Sequence, residues 1–204
     1  ATVPIINGCC NKFHPTQALA DLLTIREIFG TYTIKLLYIG VWNNVLNSLA
    51  LSLPKMGGKL ISLTPIINEP SMDQNVKQLF DTSENIQQLD NEAIDVKDLA
   101  GLVRDMDAVY VDTWIDMEVY NDPHYEQERN KRIEQMSPYR LSKQILANSK
   151  AIVLHDMPIH PGFEIERDVV ESHIDVILQQ AENRRHVAKG ILFELLSPKG
   201  NLSS

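Results

Sequence analysis

A chain of 204 residues with 44% hydrophobic residues and a net charge of −8 can bury one sizeable core or two small ones, and it offers no basic surface for nucleic acid. Its only two cysteines, Cys9 and Cys10, are adjacent, which argues against a disulfide framework or a standard metal-ligand spacing and fits a reducing, cytoplasmic setting. No apolar run approaches the roughly 20 residues of a membrane span, and the first residues lack the basic region and cleavage pattern of a signal peptide.

Thr2 to Ile6 is β-rich and reads as a strand already inside a fold, in a domain cut from a longer chain. The stretch Asn11-Lys12-Phe13-His14-Pro15-Thr16-Gln17 then leads into apolar residues at 18, 22, 25 and 29. That is the spacing of an amphipathic helix, with Gly30 as its stop. Pro15 suits the first turn, where its missing N–H is not needed. His14 and Gln17 fall at the helix N-terminus, where free N–H groups favour an anion or a polarised carbonyl oxygen.

Ile34 to Gly40, Lys59 to Leu63, Ile86 to Leu89, Ala108 to Val111 and Ala151 to Leu154 are short apolar runs of buried-strand length. Between them lie a loop at Val41 to Asn44, helical patterns at Val45 to Lys55 and Met72 to Thr82, a loop at Pro65 to Ser71, and a helix at Val96 to Met106. Surface helices are expected at Tyr125 to Met136 and Leu141 to Asn148. Val169 to Ile177 leads to a last helix from Ala181 to Leu196, and Ser197 to Ser204 to a frayed tail. The alternation predicts an α/β fold: a three-layer, doubly wound, Rossmann-like open parallel sheet with helices on both faces, as one domain over residues 1–204.

Such sheets bind ligands at the carboxyl ends of their strands. Gly40-Val41-Trp42-Asn43-Asn44-Val45-Leu46-Asn47-Ser48 has one glycine rather than the G-x-G-x-x-G of a dinucleotide site. Its carboxamides suit a polar organic ligand, or Asn43 or Asn44 caps a helix. Asp112-Thr113-Trp114-Ile115-Asp116-Met117-Glu118 places three acids at a strand end. That is either a solvated loop or a receptor for an ammonium group. His155-Asp156-Met157-Pro158 contains a candidate cis peptide, which would aim the preceding carbonyl into the cleft, and its histidine and acid match no standard metal site. In Gln180-Ala181-Glu182-Asn183-Arg184-Arg185-His186, an arginine in a helix's first turn opposes the dipole and hints at anion binding.

Together these segments resemble the aspartate/ornithine carbamoyltransferase family, specifically its second, amino-acid-binding domain, and the ornithine type more closely. His14-Pro15-Thr16-Gln17 is similar to the family's carbamoyl phosphate motif. Asn43-Asn44 with Asn47-Ser48 resembles the ornithine-type NN-x-x-NS loop, and Asp112-x-Trp114-x-x-Met117 the D-x-W-V-S-M-G loop. His155-Asp156-Met157-Pro158 stands where ornithine enzymes have H-C-L-P and aspartate enzymes H-P-L-P. Gln180-Ala181-Glu182-Asn183-Arg184-x-His186 matches Q-A-E-N-R-x-H.

The resemblance implies attack of a substrate amine on the carbonyl of carbamoyl phosphate, with no cofactor and no metal. It makes His14, Gln17 and Arg184 catalytic and adds Asp156 and Met157 to the carbamoyl phosphate site, Met157 through its carbonyl. Asn44, Asp112, Asp116 and Met117 would bind the amino acid, Asp112 through the α-ammonium. It also implies a place in arginine metabolism and a trimer built mostly through the first, carbamoyl phosphate domain. That domain's Ser-x-Arg-Thr loop does not occur in these residues, so the chain alone is expected to be inactive. Asp116 takes the place of serine, Asp156 of cysteine and Glu118 of glycine, which makes the expected site more acidic than an ornithine site. The acceptor expected is therefore ornithine first, a diamine or another basic amino acid second. A non-catalytic amino-acid-binding or regulatory domain of the same fold is the alternative, and a nucleotide-dependent oxidoreductase is disfavoured by the missing glycines.

Overall fold

The computed structural model describes residues 3–89, 96–115, 120 and 122–197. Helix α1 (Pro15–Phe29) precedes strand β1 (Lys35–Trp42), helix α2 (Asn44–Ser52), strand β2 (Lys59–Ile67), helix α3 (Gln74–Thr82) and strand β3 (Ile86–Gln88). Then come α4 (Val96–Arg104), β4 (Ala108–Val111), α5 (Glu126–Met136), the short α6 (Lys143–Leu146), β5 (Ile152–Leu154) and the long α7 (Arg167–Leu196). The five strands form one sheet in the order β3-β2-β1-β4-β5, and every adjacent pair runs parallel. This is the doubly wound α/β fold expected from the alternation of elements.

Burial on both faces explains the unbroken apolar strands. One core gathers Leu36, Tyr38, Leu60 and Tyr110 with Ile25 of α1 and Leu46 and Leu49 of α2. The other gathers Leu37, Ile39, Val109 and Val153 with Leu99 and Val103 of α4, Met136 and Ile145. Strand residues alternate between the two cores, as a period of two requires.

Several boundaries differ from the sequence expectation. Residues 3–6 form no strand; Val3 and Ile5 are exposed, since no sheet edge lies there for them to pair with. β1 continues through Val41 and Trp42, and β2 runs through Pro65 to Ile67. Proline is tolerated inside β2 because the register slips there. Ile39 faces Leu63 but Val41 faces Ile66, so the slip leaves Pro65 outside the regular ladder where a donor would be required. The last two segments are a single helix, α7, rather than a lead-in followed by a helix.

The switch in strand order falls between β1 and β4, whose carboxyl ends are Trp42 and Val111. Gly40 permits their close approach, because a Cβ there would lie 3.0 Å from that of Asp112. Leu49, on the inner face of α2, is completely buried, and Leu49→Ala is expected to lower the unfolding free energy by about 2–5 kcal/mol, measured by urea denaturation.

Candidate active site

The N-terminus of α1 is held over the strand ends by α2. Asn43 caps α2, its carboxamide oxygen accepting from the backbone N–H of Val45 and Leu46. Asn44 donates to the Cys10 carbonyl at 2.8 Å, and Asn47 donates to the carbonyls of Lys12 and Ser71 at 2.8 and 2.7 Å. Ser48 Oγ accepts from the His14 backbone N–H at 2.8 Å. The expected carboxamide loop is therefore chiefly a set of ties that hold residues 10–14 against α2. Asn44, expected to bind the amino acid, is spent on one of these ties, whereas its neighbour Asn43 faces the candidate site.

Asn43 donates its amide to Asp112 Oδ2 at 2.6 Å, and the Tyr38 hydroxyl donates to the same oxygen at 2.5 Å. The second oxygen, Oδ1, accepts from the Thr113 N–H at 2.7 Å. Asp112 is fully buried, so these donors replace its lost water. Burial and the Asp112 charge raise the Tyr38 hydroxyl well above its usual range, which keeps it a donor. The expected partners Asp116 and Met117 lie outside the described residues, as does Glu118.

A second group, within range of the Asp112 charge, is His14 at the N-cap of α1, Gln17 of α1 and Arg184 of α7. Arg184 Nη1 donates to Gln17 Oε1 and lies 3.4 Å from His14 Nε2; Nη2 lies 3.5 Å from Thr16 Oγ1. Because a guanidinium only donates, the His14 nitrogen facing it is the unprotonated one. Burial and the Arg184 charge, partly opposed by Asp112, lower His14 to about 4, so its ring is neutral at pH 7. Arg184 sits far inside α7 rather than in a first turn. The dipole argument, which pointed to an arginine of this segment, fails, while the motif resemblance that named Arg184 does not depend on it, and its contact with the α1 motif is present. A groove of about 450 Å³ opens beside Arg184, lined also by Thr16, Arg185 and Ala188.

Beneath these residues Asp21 joins α1 to α7. Its Oδ1 accepts from Gln17 Nε2 at 2.8 Å and from Gln180 Nε2 at 2.6 Å. Gln180 Oε1 in turn accepts from the His155 N–H at 2.8 Å. Neither Asp21 nor Gln180 was a sequence candidate for the site. The spacing from Gln17 to Asp21 is one helical turn, and that was the available signal.

The loop after β5 folds on its own polar groups. Met157 N–H donates to His155 Nδ1 at 2.9 Å, and His155 Nε2 lies 3.3 Å from Glu164 Oε1. The Met157–Pro158 bond is cis and Met157 has φ 64°, in line with the cis peptide expected there. Burial, followed by the Asp112 charge, raises the Asp156 carboxyl well above the usual carboxylate range. The structure brings His14, Gln17 and Arg184 together. Among the described residues no group of three or more His, Cys, Asp or Glu is arranged to hold a metal ion, and no helix is long and apolar enough to cross a membrane.

An open parallel sheet with acids and carboxamides at its switch point, near a histidine–glutamine–arginine group, places this chain in the class of doubly wound α/β proteins, whose ligands bind at the carboxyl ends of the strands. The sequence matches the profile of the aspartate/ornithine carbamoyltransferase Asp/Orn binding domain over residues 32–195, and that of the family's carbamoyl-P binding domain over residues 1–27. The chain belongs to the aspartate/ornithine carbamoyltransferase family. It is 37% identical over 195 residues to an ornithine carbamoyltransferase of Staphylothermus marinus, covering 93% of this chain and 59% of that relative. It is also 37% identical to one from Haloquadratum walsbyi, with 97% and 61% covered. The ornithine carbamoyltransferase structure from Pyrococcus furiosus superimposes with a TM-score of 0.78 at 31% identity, over 100% of this chain and 62% of that one. The chain thus spans about three fifths of the length of these relatives.

Asp21 supplies a test of the buried network. Burial lifts its carboxyl from 3.8 to about 7, against the pull of Gln180, Gln17 and the Arg184 charge. A raised folded pKa favours the folded state most below the unfolded pKa, and that advantage is lost as pH rises through the folded value. Relative to Asp21→Asn, which retains an acceptor oxygen, the wild-type chain is expected to lose about 4 kcal/mol between pH 4 and 8, at about 1.4 kcal/mol per pKa unit. Urea unfolding of both proteins across that range measures it, and a difference that grows in the opposite direction contradicts the assignment.

Proposed function

We propose that this chain supplies the amine-binding side of a carbamoyltransferase that carries the carbamoyl group of carbamoyl phosphate to ornithine, giving a ureido product and phosphate. The observation that carries this reading is the opposition, across one switch point, of His14, Gln17 and Arg184 to the buried carboxylate of Asp112. The first group offers a cation and orientable donors and acceptors, and the second receives an ammonium. Residues 1–204 are read as one amino-acid-binding domain, with α1 contributing the carbamoyl-contacting motif.

The neutral amine nitrogen attacks the carbonyl carbon and the bond from that carbon to the phosphate oxygen breaks; phosphate departs with that electron pair and takes up the proton that the attacking nitrogen gives up. Arg184 places positive charge where the carbonyl oxygen becomes an oxyanion, and His14 and Gln17 orient the carbamoyl group beside it. Donors held in place before reaction act without reorganisation. The Met157 carbonyl receives the carbamoyl N–H, with Asp156 next to it. Asp112 holds the α-ammonium, Asp116 and Met117 complete the amino-acid side, and Asn44 serves it only indirectly, by tying the Cys10 carbonyl beside α2. Bringing both reactants into line supplies much of the remaining acceleration. The same reading makes the complete enzyme a cytoplasmic trimer of arginine metabolism that needs no cofactor.

Calorimetry on the 204-residue chain is expected to show ornithine binding in preference to aspartate, with no turnover of carbamoyl phosphate, because the Ser-x-Arg-Thr loop is not among these residues. Preference for aspartate overturns the assignment. Asp112→Asn is expected to weaken ornithine about 10- to 100-fold, the loss of one charge-assisted hydrogen bond worth roughly 1.5–3 kcal/mol.

A further inference from the structure

The two cysteines lie outside the strand-end site, just before the motif that leads into α1. Both are free and exposed, and each sulfur has a carboxamide against it. Asn7 Nδ2 donates to Cys10 Sγ at 3.3 Å, and Asn44 Nδ2 donates to Cys9 Sγ at 3.5 Å. The Asn44 amide also holds the Cys10 carbonyl at 2.8 Å, and the Cys10 N–H donates to the Phe13 carbonyl at 2.9 Å. Residues 10–13 therefore close on themselves as a turn. His14 follows at once, its N–H donating to Ser48 Oγ, which donates in turn to the Asn44 carbonyl, both at 2.8 Å. The thiol pair is thus joined to the His14 motif through α2 as well as along the chain.

Amide donors around an exposed sulfur favour its anion, because a thiolate accepts hydrogen bonds better than a thiol does. The Asn7 amide, and after it the backbone N–H groups of Lys12 and Phe13, lower the Cys10 thiol below its ordinary value, against a smaller effect of burial. The thiolate is the form that attacks a disulfide. Cys9 is poorly placed to pair with it, since consecutive Cα atoms are about 3.8 Å apart and a disulfide usually spans roughly 4.4–6.8 Å between Cα atoms. A sulfur partner for Cys10 comes from outside the chain, and an external thiol is needed to remove it.

We propose that Cys10, in the turn it shares with Cys9, is a modification site for low-molecular-weight disulfides such as glutathione disulfide, and that its modification loosens the turn that leads into His14. The Cys10 thiolate attacks one sulfur of the small disulfide. A new sulfur–sulfur bond forms as the old one breaks, and the departing thiolate takes a proton from solvent. Cys10 is oxidised and half of the small disulfide is reduced, with no other reactant. The modified sulfur, neutral and bulky, no longer draws the Asn7 amide toward it, and the turn loses that tie. The site stands whether or not the strand ends bind an amine.

The test starts with the Cys9→Ser chain, in which Cys10 is the one thiol. Its reaction with glutathione disulfide is followed by mass spectrometry, folded and in urea. At pH 7 the folded chain is expected to react about threefold faster or more, and the advantage to vanish by about pH 10, where the thiol of the unfolded chain is ionised as well. Asn7→Ala is expected to remove most of that advantage. In the wild-type chain, fragment-ion mass spectrometry is expected to place the first glutathione on Cys10. The adduct is expected to speed amide exchange at residues 10–14 by about threefold or more, with β1 and β4 still protected. A folded chain that reacts no faster than the unfolded one, or a first glutathione on Cys9, overturns the site. An adduct on Cys10 that leaves the exchange of His14 unchanged overturns the loosening. The wild-type measurements need no variant to fold.

Discussion

One carboxylate oxygen, Asp21 Oδ1, fixes the relation between the first and last helices of the chain. A side chain with no solvent exposure must find its partners inside the protein, and this one accepts from two glutamine amides at once. Each amide has one donating and one accepting end, so committing the donors to Asp21 also decides where both carbonyl oxygens point. Gln17 Oε1 is directed to Arg184 and Gln180 Oε1 to the His155 N–H. One buried oxygen thus sets the orientation of the α1 motif, of the α7 arginine and of the loop after β5. Asn183 adds a second tie one turn along, donating to Thr24 at 2.9 Å and to Glu27 at 2.8 Å. The other oxygen of Asp21, Oδ2, is buried without a hydrogen-bond partner among the described residues, so the geometry is specified through Oδ1 and its two amides.

The sheet sets the other side of the site through closeness rather than hydrogen bonding. Gly40 lets the β1 and β4 chain ends approach so that Tyr38, two residues earlier on the same face, can reach past it to Asp112. A methyl group at residue 40 would press on the Asp112 Cβ and displace the carboxylate from both Tyr38 and Asn43. The tyrosine is therefore a strand residue with a polar task. Its ring packs in the core against that of Tyr110, with centroids 5.6 Å apart, while its hydroxyl emerges at the strand end.

This division explains which parts of the site are legible in the amino-acid sequence. α1 and β4 are bounded as their periodicity predicts, because each is flanked by a strong stop: Gly30 in the left-handed conformation after α1, and the acid Asp112 after β4. β2 was harder to bound, because Pro65 signals a loop unless the register slip that accommodates it is known. Asp112, His14, Gln17 and Arg184 stand at element ends or in recognisable motifs, whereas Tyr38 hides in an apolar run and Gln180 in a helix face. Their importance comes from what they meet across the fold, and single-residue patterns carry no information about such partners. For Arg184 the dipole hint falls away, because its helix begins at Arg167; the motif that names it remains, and its contacts with Gln17 and His14 distinguish it from Arg185.

The two sides of the switch point differ in polarity, and the difference depends on His14 being neutral. Were the imidazole charged, two cations would face each other at 3.4 Å, and the α1 motif would be pushed from Arg184 toward Asp112. Burial and the Arg184 charge instead hold it near 4, leaving the guanidinium as the sole permanent charge of that group. Asp112, in turn, is solvated by fixed donors. Asp112 and Gln17 are buried and held by hydrogen bonds, so the charge and dipole they contribute are fixed in place without rearranging the protein.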